Sequence, residues 1–294
     1  MSRLTDFIAP YRVTDGKAFR LKDVDPDDTG PFAGESKPEA QQLLRSGVER
    51  LAALQDRLWA QDRWAVLLIF QAMDAAGKDS AIKHVFSGVN PAGCEVYSFK
   101  APTSLELDHD YMWRHFRSLP ERGRIGIFNR SYYEEVLVVR VNPSFLDAQK
   151  LPPKVVTKRI WQERYEDIRN LERFLSRNGT VIRKFFLHVS KATQKKRLLE
   201  RLATPEKNWK FNIADLDARA KWSRHMKAYE DAIRETAARH APWFVVPADN
   251  KWFTRLVVGG AVIEALESLD LHYPRLDEKQ QETLSKARAI LENE

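Results

Sequence analysis

The sequence predicts an α/β fold in three layers, a parallel sheet covered by helices on both faces. Three observations carry this. About five short apolar strands alternate with helical stretches along the 294 residues. The first of these strands runs straight into a Gly-Lys loop and then a helix, the order that a phosphate-binding loop requires. Neither an internal repeat nor a low-complexity linker divides the chain, so one main domain is expected.

The elements follow in order. Residues 1–36 are rich in Asp, Gly and Pro, including DPDDTGPF, and read as an irregular arm. Residues 37–62 place leucines and alanines at helical spacing. WAVLLIFQ is a buried strand, and SAIKHVFSGV, from Ser80, is a helix. CEVYSF is a short strand. Residues 103–119 form a helix with Thr103 as N-cap and Glu106 completing a capping box. RIGIFN is the next strand and 154–177 a long amphipathic helix. TVIRKFFLHV is a strand, ATQKKRLLERL a basic helix and 213–238 a long charged helix. WFVVPAD is the last strand, 252–271 a helix and 276–294 a helical tail.

Composition bounds the function. With 43% hydrophobic and 30% charged residues the chain can build a core under a polar surface. The start MSRLTDFIAP lacks the apolar run of a signal peptide. The apolar run from Trp64 is too short to span a membrane. Cys94 is the single cysteine, so no intrachain disulfide forms, as suits the cytoplasm. The seven histidines have no zinc-ligand spacing. A net charge of +7 favours polyanionic partners. No nucleic-acid-binding module is recognisable, so neither nucleic acid nor membrane is expected as a partner.

The loop FQAMDAAGKDS departs twice from G-x-x-x-x-G-K-[ST]. Ala72 stands in the first glycine's place and Asp79 in that of the hydroxyl residue. Gly77 and Lys78 are in register. The backbone of Ala75, Ala76, Gly77, Lys78, Asp79 and Ser80 would cradle phosphate, with Lys78 adding a point charge. Asp74 puts a carboxylate among anions, which makes sense where a divalent cation lies between them. The plain alternatives are an ordinary strand-to-helix turn, and an Asp74 that tightens the turn through its own backbone.

Two further stretches carry charge. In GIFNRSYYEE, Asn129 ends a strand, Arg130 is set to reach phosphate oxygens, and Glu134 or Glu135 could hold a metal or a substrate. The alternative is a helix start, with Ser131 as cap and Glu134 completing a capping box. In KATQKKRLLERLATPEKNWKF, Arg197 and Arg201 share a helix face, and Lys207 and Lys210 follow. A basic flap over a phosphate site and a solvated basic helix both remain open. Trp161, Trp209, Trp222 and Trp243 read as packing aromatics.

Taken together, QAMDAAGKD, GVNP, FNRSYYEEVLV, KFFLHVS, RL..PEKNWKF and APWFVVPADNKW resemble the family-2 polyphosphate kinases, from about residue 11 to about residue 273. The resemblance implies a thymidylate-kinase-like P-loop kinase domain at 37–275, with a basic helical lid at about 191–225. It implies reversible phosphoryl transfer between inorganic polyphosphate and a nucleotide, with Mg2+, or Mn2+ in its place. The family loop is similar to G-x-D-x-x-G-K followed by Gly or Asp, so only Ala72 departs, and some members share that alanine. Many members carry Asp-Arg-Ser where this chain has Asn129, Arg130 and Ser131. That variant, with the arm, resembles the subgroup that phosphorylates AMP as well as ADP, with GMP and GDP left open. The carry-over places Asp74, Lys78, Asn129, Arg130 and Glu134 in the active site, Asp74 and Glu134 as metal ligands, and Arg197, Arg201, Lys207 and Lys210 on or near the lid. AMP, ADP and ATP are the implied nucleotides, and a homodimer or homotetramer is the expected assembly. An ATP-dependent nucleotide or nucleoside kinase on the same fold, and a non-catalytic polyanion-binding protein, are the alternatives.

Overall fold

The central strand β2, Ala65–Gln71, is buried at every residue, because parallel strands covered on both faces must be apolar on both. In the computed structural model, which describes residues 6–32 and 37–294, the other strands are β1 (Arg12–Val13), β3 (Cys94–Ser98), β4 (Ile125–Asn129), β5 (Thr180–His188) and β6 (Trp243–Pro247). Their spatial order is β1-β6-β5-β2-β4-β3. Five strands run parallel, and β1 alone pairs antiparallel, on β6. β2 therefore sits between β4 and β5, and the loop that follows it opens at the carboxyl edge of the sheet, where ligands bind in open α/β folds.

The helices are α1 (Lys37–Gln61), α2 (Lys78–Val85), α3 (Ser104–Leu107), α4 (Trp113–Phe116), α5 (Val138–Val141), α6 (Ile160–Arg177), α7 (Lys191–Leu202), α8 (Pro205–Asn208), α9 (Ala214–Ala220), α10 (Trp222–Thr236), α11 (Lys251–Glu267) and α12 (Glu278–Glu292). α11 packs on α1, α2, β5 and β6, and is apolar nearly all round, with Phe253, Leu256, Val257, Val258 and Val262 fully buried. α6 and α10 cover the other face. Alternation along β5 sends Lys184 and Phe186 to that side, where Lys184 meets α6 and Phe186 stacks on Tyr229 of α10.

Lys184 is a cation at the centre of the sheet with no exposure. Its Nζ donates to Glu172 Oε2 at 2.6 Å, Tyr133 Oη at 3.0 Å and the Thr236 carbonyl at 2.9 Å. Tyr132 and Tyr133 both donate to Glu172 Oε1, and Trp243 Nε1 donates to Thr236 Oγ1. Every polar group of this knot has a partner, the condition for a buried ion pair to persist. The knot joins β5, β6, α6 and α10 to the turn that follows β4.

Several boundaries differ from the sequence expectation. The 103–119 helix is two short pieces, α3 and α4, although the Thr103–Glu106 capping box is present. The 154–177 helix starts only at Ile160, after a 3-10 turn at Pro153–Val155. The 213–238 helix breaks at Lys221. Trp209 is 77% exposed, whereas Trp243 is buried and Trp161 and Trp222 pack on apolar clusters.

The arm is more ordered than its composition suggests; its residues 1–5 and 33–36 lie outside the described residues. Arg12 pairs with Glu264 at 2.9 Å, and the Tyr11 hydroxyl donates to Asp28 at 2.6 Å. DPDDTG, which has no reading from sequence, docks on the turn after β6. The Asp249 amide donates to the Pro26 carbonyl, and Asn250 Nδ2 to Asp27 Oδ1. The α12 tail is exposed along its length.

Glu172→Ala would leave the Lys184 ammonium buried without its counter-charge. Urea unfolding should show a loss of roughly 3–5 kcal/mol, and pairing Lys184→Met with Glu172→Leu should cost less than either single change.

Candidate active site

β2 ends at Gln71, and the chain turns through residues 72–77 before α2 begins at Lys78. The left-handed positions in this turn are Ala75, with φ of 61°, and Gly77, with φ of 110°. A Cβ on Gly77 would meet nothing closer than Arg197 Nη1 at 3.9 Å, so the backbone angle and not space calls for glycine. Ala72, in the place of the usual glycine, is buried and has no positive φ. A side chain there costs the turn nothing, which accounts for the first of the two departures.

Arg130 links this loop to the end of β4. Its φ of 66° is unusual for a non-glycine residue, and such strain is held only where the surroundings enforce it. Its Nη2 donates to Asp74 Oδ1 at 2.5 Å, and its Nη1 to Glu134 Oε2 at 3.0 Å. Gln71 supports the pair. In the amide orientation that satisfies both ends, its NH2 donates to Glu134 Oε1 at 2.7 Å and its oxygen accepts from Ser131 Oγ at 3.1 Å. Ser131 Oγ in turn accepts from the Tyr133 amide, but the Glu134 carboxylate goes to Arg130 and not back to the cap, so no capping box forms. Glu135 turns away from Arg130, into a buried pair with Arg164 at 2.8 Å.

Lys78 is buried, and its Nζ donates to the Ala72 carbonyl at 3.1 Å. Burial pushes its ammonium down to a pKa of about 8, and the Arg130 charge adds to this against the opposing pull of Asp74, Glu134 and Asp79. On the outer side of α2, Asp79 Oδ1 accepts from Asn129 Nδ2 at 2.8 Å, while its Oδ2 lies 3.7 Å from Lys210 Nζ. Ser80 Oγ accepts from Arg255 at 3.1 Å.

The 191–225 segment lies against the loop. Gln194 Nε2 donates to the Asp74 carbonyl at 3.0 Å. Arg197 spends its guanidinium on four carbonyls, those of Ala75, Ala76, Ala248 and Asp249. Its donors hold the loop to the turn after β6. Arg201 bonds the Lys210 carbonyl and Asp215. Lys207 stands near Lys251, whose pKa is lowered by burial and then by the cations Arg197, Arg255 and Lys207 around it.

Several site residues have no sequence signal. Asp215 is buried and bound by Arg201, and its carboxyl is raised by burial and then by the charge of Asp74. His225 and Tyr229, from α10, sit within the fields of Asp74, Glu134 and Arg130, and burial lowers the pKa of His225. Lys251 and Arg255 are four apart at the start of α11, straight after a strand. That strand-to-helix junction is the one cue that could have found them.

Among the described residues, no three His, Cys, Asp or Glu side chains gather as a preformed metal cage. A magnesium site shared with phosphates needs only one or two carboxylates. Among the described residues nothing hydrogen-bonds to Asp74 Oδ2, whereas both oxygens of Glu134 are engaged by Arg130 and Gln71. Asp74 is thus the carboxylate of the pair with an oxygen available to a divalent cation. A separate cavity opens beside the Glu135 turn, lined by Pro102, Leu107, Tyr111, Glu135, Arg164 and Asp167 among others.

The chain was compared with known proteins. The family model described as polyphosphate kinase 2 matches residues 34–274. A Rhodopseudomonas palustris protein named ADP-polyphosphate phosphotransferase is 52% identical over 282 residues, 96% of this chain and 97% of that one. A Meiothermus ruber protein named AMP/ADP-polyphosphate phosphotransferase is 47% identical, over 90% of this chain and 95% of that one. The crystal structure of polyphosphate kinase 2 from Arthrobacter aurescens TC1 superposes with a TM-score of 0.88 at 36% identity, covering all of both chains.

Lys78 makes the cradle pH-sensitive. Its charge is present below its pKa of about 8 and lost above it. Calorimetry with tripolyphosphate should show affinity holding from neutral pH to the pKa, then falling by up to about tenfold per pH unit. Lys78→Arg should flatten that fall, and an unchanged profile would show that Lys78 does not meet the anion.

Proposed function

Because the chain belongs to the polyphosphate kinase 2 family, we propose that it transfers a phosphoryl group between inorganic polyphosphate and ADP or AMP. The observation that carries this reading is Asp74, a carboxylate inside a cationic phosphate loop, bound by Arg130. A loop that grips only phosphates would repel its donor through Asp74 unless a cation stood between them.

The polyphosphate end lies in the cradle of residues 75–80, beside Lys78. Lys207, Lys251 and Arg255 offer positive charge to the rest of the chain of phosphates. Arg130 holds Asp74 in place and reaches the transferring group when substrate draws it away from the carboxylates. The nucleotide enters from the β4 side, and the cavity beside the Glu135 turn, lined by Tyr111 and Asp167, is the candidate place for its nucleoside. Asp74, whose charge also reaches Asp215, would hold Mg2+ together with substrate phosphates, and the ion would supply charge neutralisation.

An oxygen of the nucleotide's terminal phosphate attacks the end phosphorus of polyphosphate in line. The bridging P–O bond breaks, and the shortened polyphosphate leaves with the electron pair. The attacking oxygen is already ionised, so no side chain is asked to remove a proton. Positioning and charge stabilisation account for the catalysis. The reaction exchanges one phosphoanhydride for another, so it runs either way as concentrations dictate.

A nucleotide-dependent donor is the weaker reading, because Asp79 replaces the hydroxyl that holds magnesium in ATP-binding loops. The names of the relatives point the same way. No described helix is long and apolar enough to cross a membrane.

Purified protein given ADP or AMP, Mg2+ and polyphosphate should form ATP or ADP, and a second nucleotide in place of polyphosphate should not serve. Asp74→Asn and Lys78→Ala should each lower turnover by about 10²–10³-fold while leaving the unfolding transition intact. Near-normal turnover in either variant would contradict the proposal, as would full activity in excess EDTA.

A further inference from the structure

Asn129 ends β4 at the point where nucleotide-dependent P-loop enzymes place a metal-linked Asp, and Asp79 occupies the place of their metal-linked Ser or Thr. The two departures are complementary. A carboxylate is missing from the strand end, and a carboxylate has arrived on the first turn of α2. Their side chains touch, with Asn129 Nδ2 donating to Asp79 Oδ1 at 2.8 Å. The net charge of the pair is that of the usual arrangement, but the negative group has moved one residue across the cleft.

A side-chain amide offers two ends of nearly equal size, one donating and one accepting, and its rotation by half a turn exchanges them. Asp79 removes that freedom. An ionised carboxylate only accepts, so it selects the NH2 of Asn129. The Ser98 hydroxyl lies 3.5 Å from the same nitrogen. Asp79 thus holds the NH2 end, Ser98 being able to accept from either orientation's donor or to donate, and Asn129 Oδ1 receives no hydrogen bond from any described residue. The other Asp79 oxygen is near Lys210, so the carboxylate is itself held from the far side.

We propose that Asp79 is a positioning residue that fixes the Asn129 amide with its oxygen toward the phosphate-bearing cleft, where it accepts from a metal-bound water or from a donor carried by the substrates. The inference rests on the phosphotransferase reading above. Asp79 need not touch substrate to act in this way. Losing it would free the amide to present NH2 where an acceptor is required, and turnover would suffer more than substrate affinity.

A double-mutant cycle tests this with polyphosphate and ADP. Asp79 is largely exposed, so its removal does not threaten the core. Asp79→Ala should lower kcat about tenfold or more with KM for ADP changed less than about twofold, and Asn129→Ala should do the same. The double variant should be no slower than Asn129→Ala alone, within about twofold, because Asp79 acts through Asn129. Losses that multiply in the double variant would overturn the proposal by assigning Asp79 to direct substrate contact or to holding the 191–225 segment. A native chain with no polyphosphate-dependent turnover would overturn the functional reading itself, whereas multiplicative losses in an active enzyme overturn only this inference.

Discussion

The guanidinium of Arg130, shared between Asp74 and Glu134, is the interaction on which the site's arrangement depends. It is a fork that satisfies one carboxylate from the loop after β2 and one from the turn after β4. Planar, permanently charged and many-donored, an arginine can bridge two carboxylates in a way that a lysine cannot. The bridge sets the distance between the loop and the adjoining strand end. It also keeps two like charges from separating the elements before substrate arrives. The strained backbone at Arg130 shows that the position is enforced from outside the pair.

That enforcement comes from below. Tyr132 and Tyr133 follow Arg130 and Ser131 directly, and both hydroxyls end on Glu172, inside the knot built on Lys184. Breaking one member would strand a charge in the sheet's interior, so the turn cannot drift at low cost. The loop is restrained from the opposite side by Arg197, whose four carbonyl partners tie residues 75 and 76 to residues 248 and 249. The arm at 25–28 docks on that second turn. Two cations buried to different depths therefore hold the two halves of the cradle, and neither spends its charge on a phosphate.

How much of this was legible differs by kind of feature. Strands β2 to β6 were readable because buried parallel strands must be apolar runs, and the loop because phosphate binding constrains a few adjacent residues. Asp74, Lys78, Asn129 and Arg130 stood out as charged or polar residues at strand ends. The 103–119 and 213–238 helices were read as continuous because periodicity carries no mark of a break that packing imposes. Arg197 looked like a phosphate ligand, since a sequence shows a charge but not what the charge faces. Asp215 and Arg255 escaped for the same reason, being brought to the loop from 141 and 181 positions along the chain (215 − 74 and 255 − 74).

By itself, the sequence determined the alternation of strands and helices, the place of the phosphate loop and the motifs that mark the family. These are local properties, written in side-chain period and spacing. The tertiary structure alone decided which charges are spent within the protein and which remain for a ligand. Glu135 goes to Arg164, Glu134 to Arg130 and Gln71, and Arg197 to carbonyls, while Asp74 has an oxygen that no described residue hydrogen-bonds. Asp79 and Asn129 show the division clearly. Sequence shows each as a departure from the nucleotide-dependent pattern, and only the tertiary structure shows that the two touch, at 2.8 Å. The reason is physical: a hydrogen bond is settled by distance and direction between residues far apart in the chain, and neither is encoded in spacing along it.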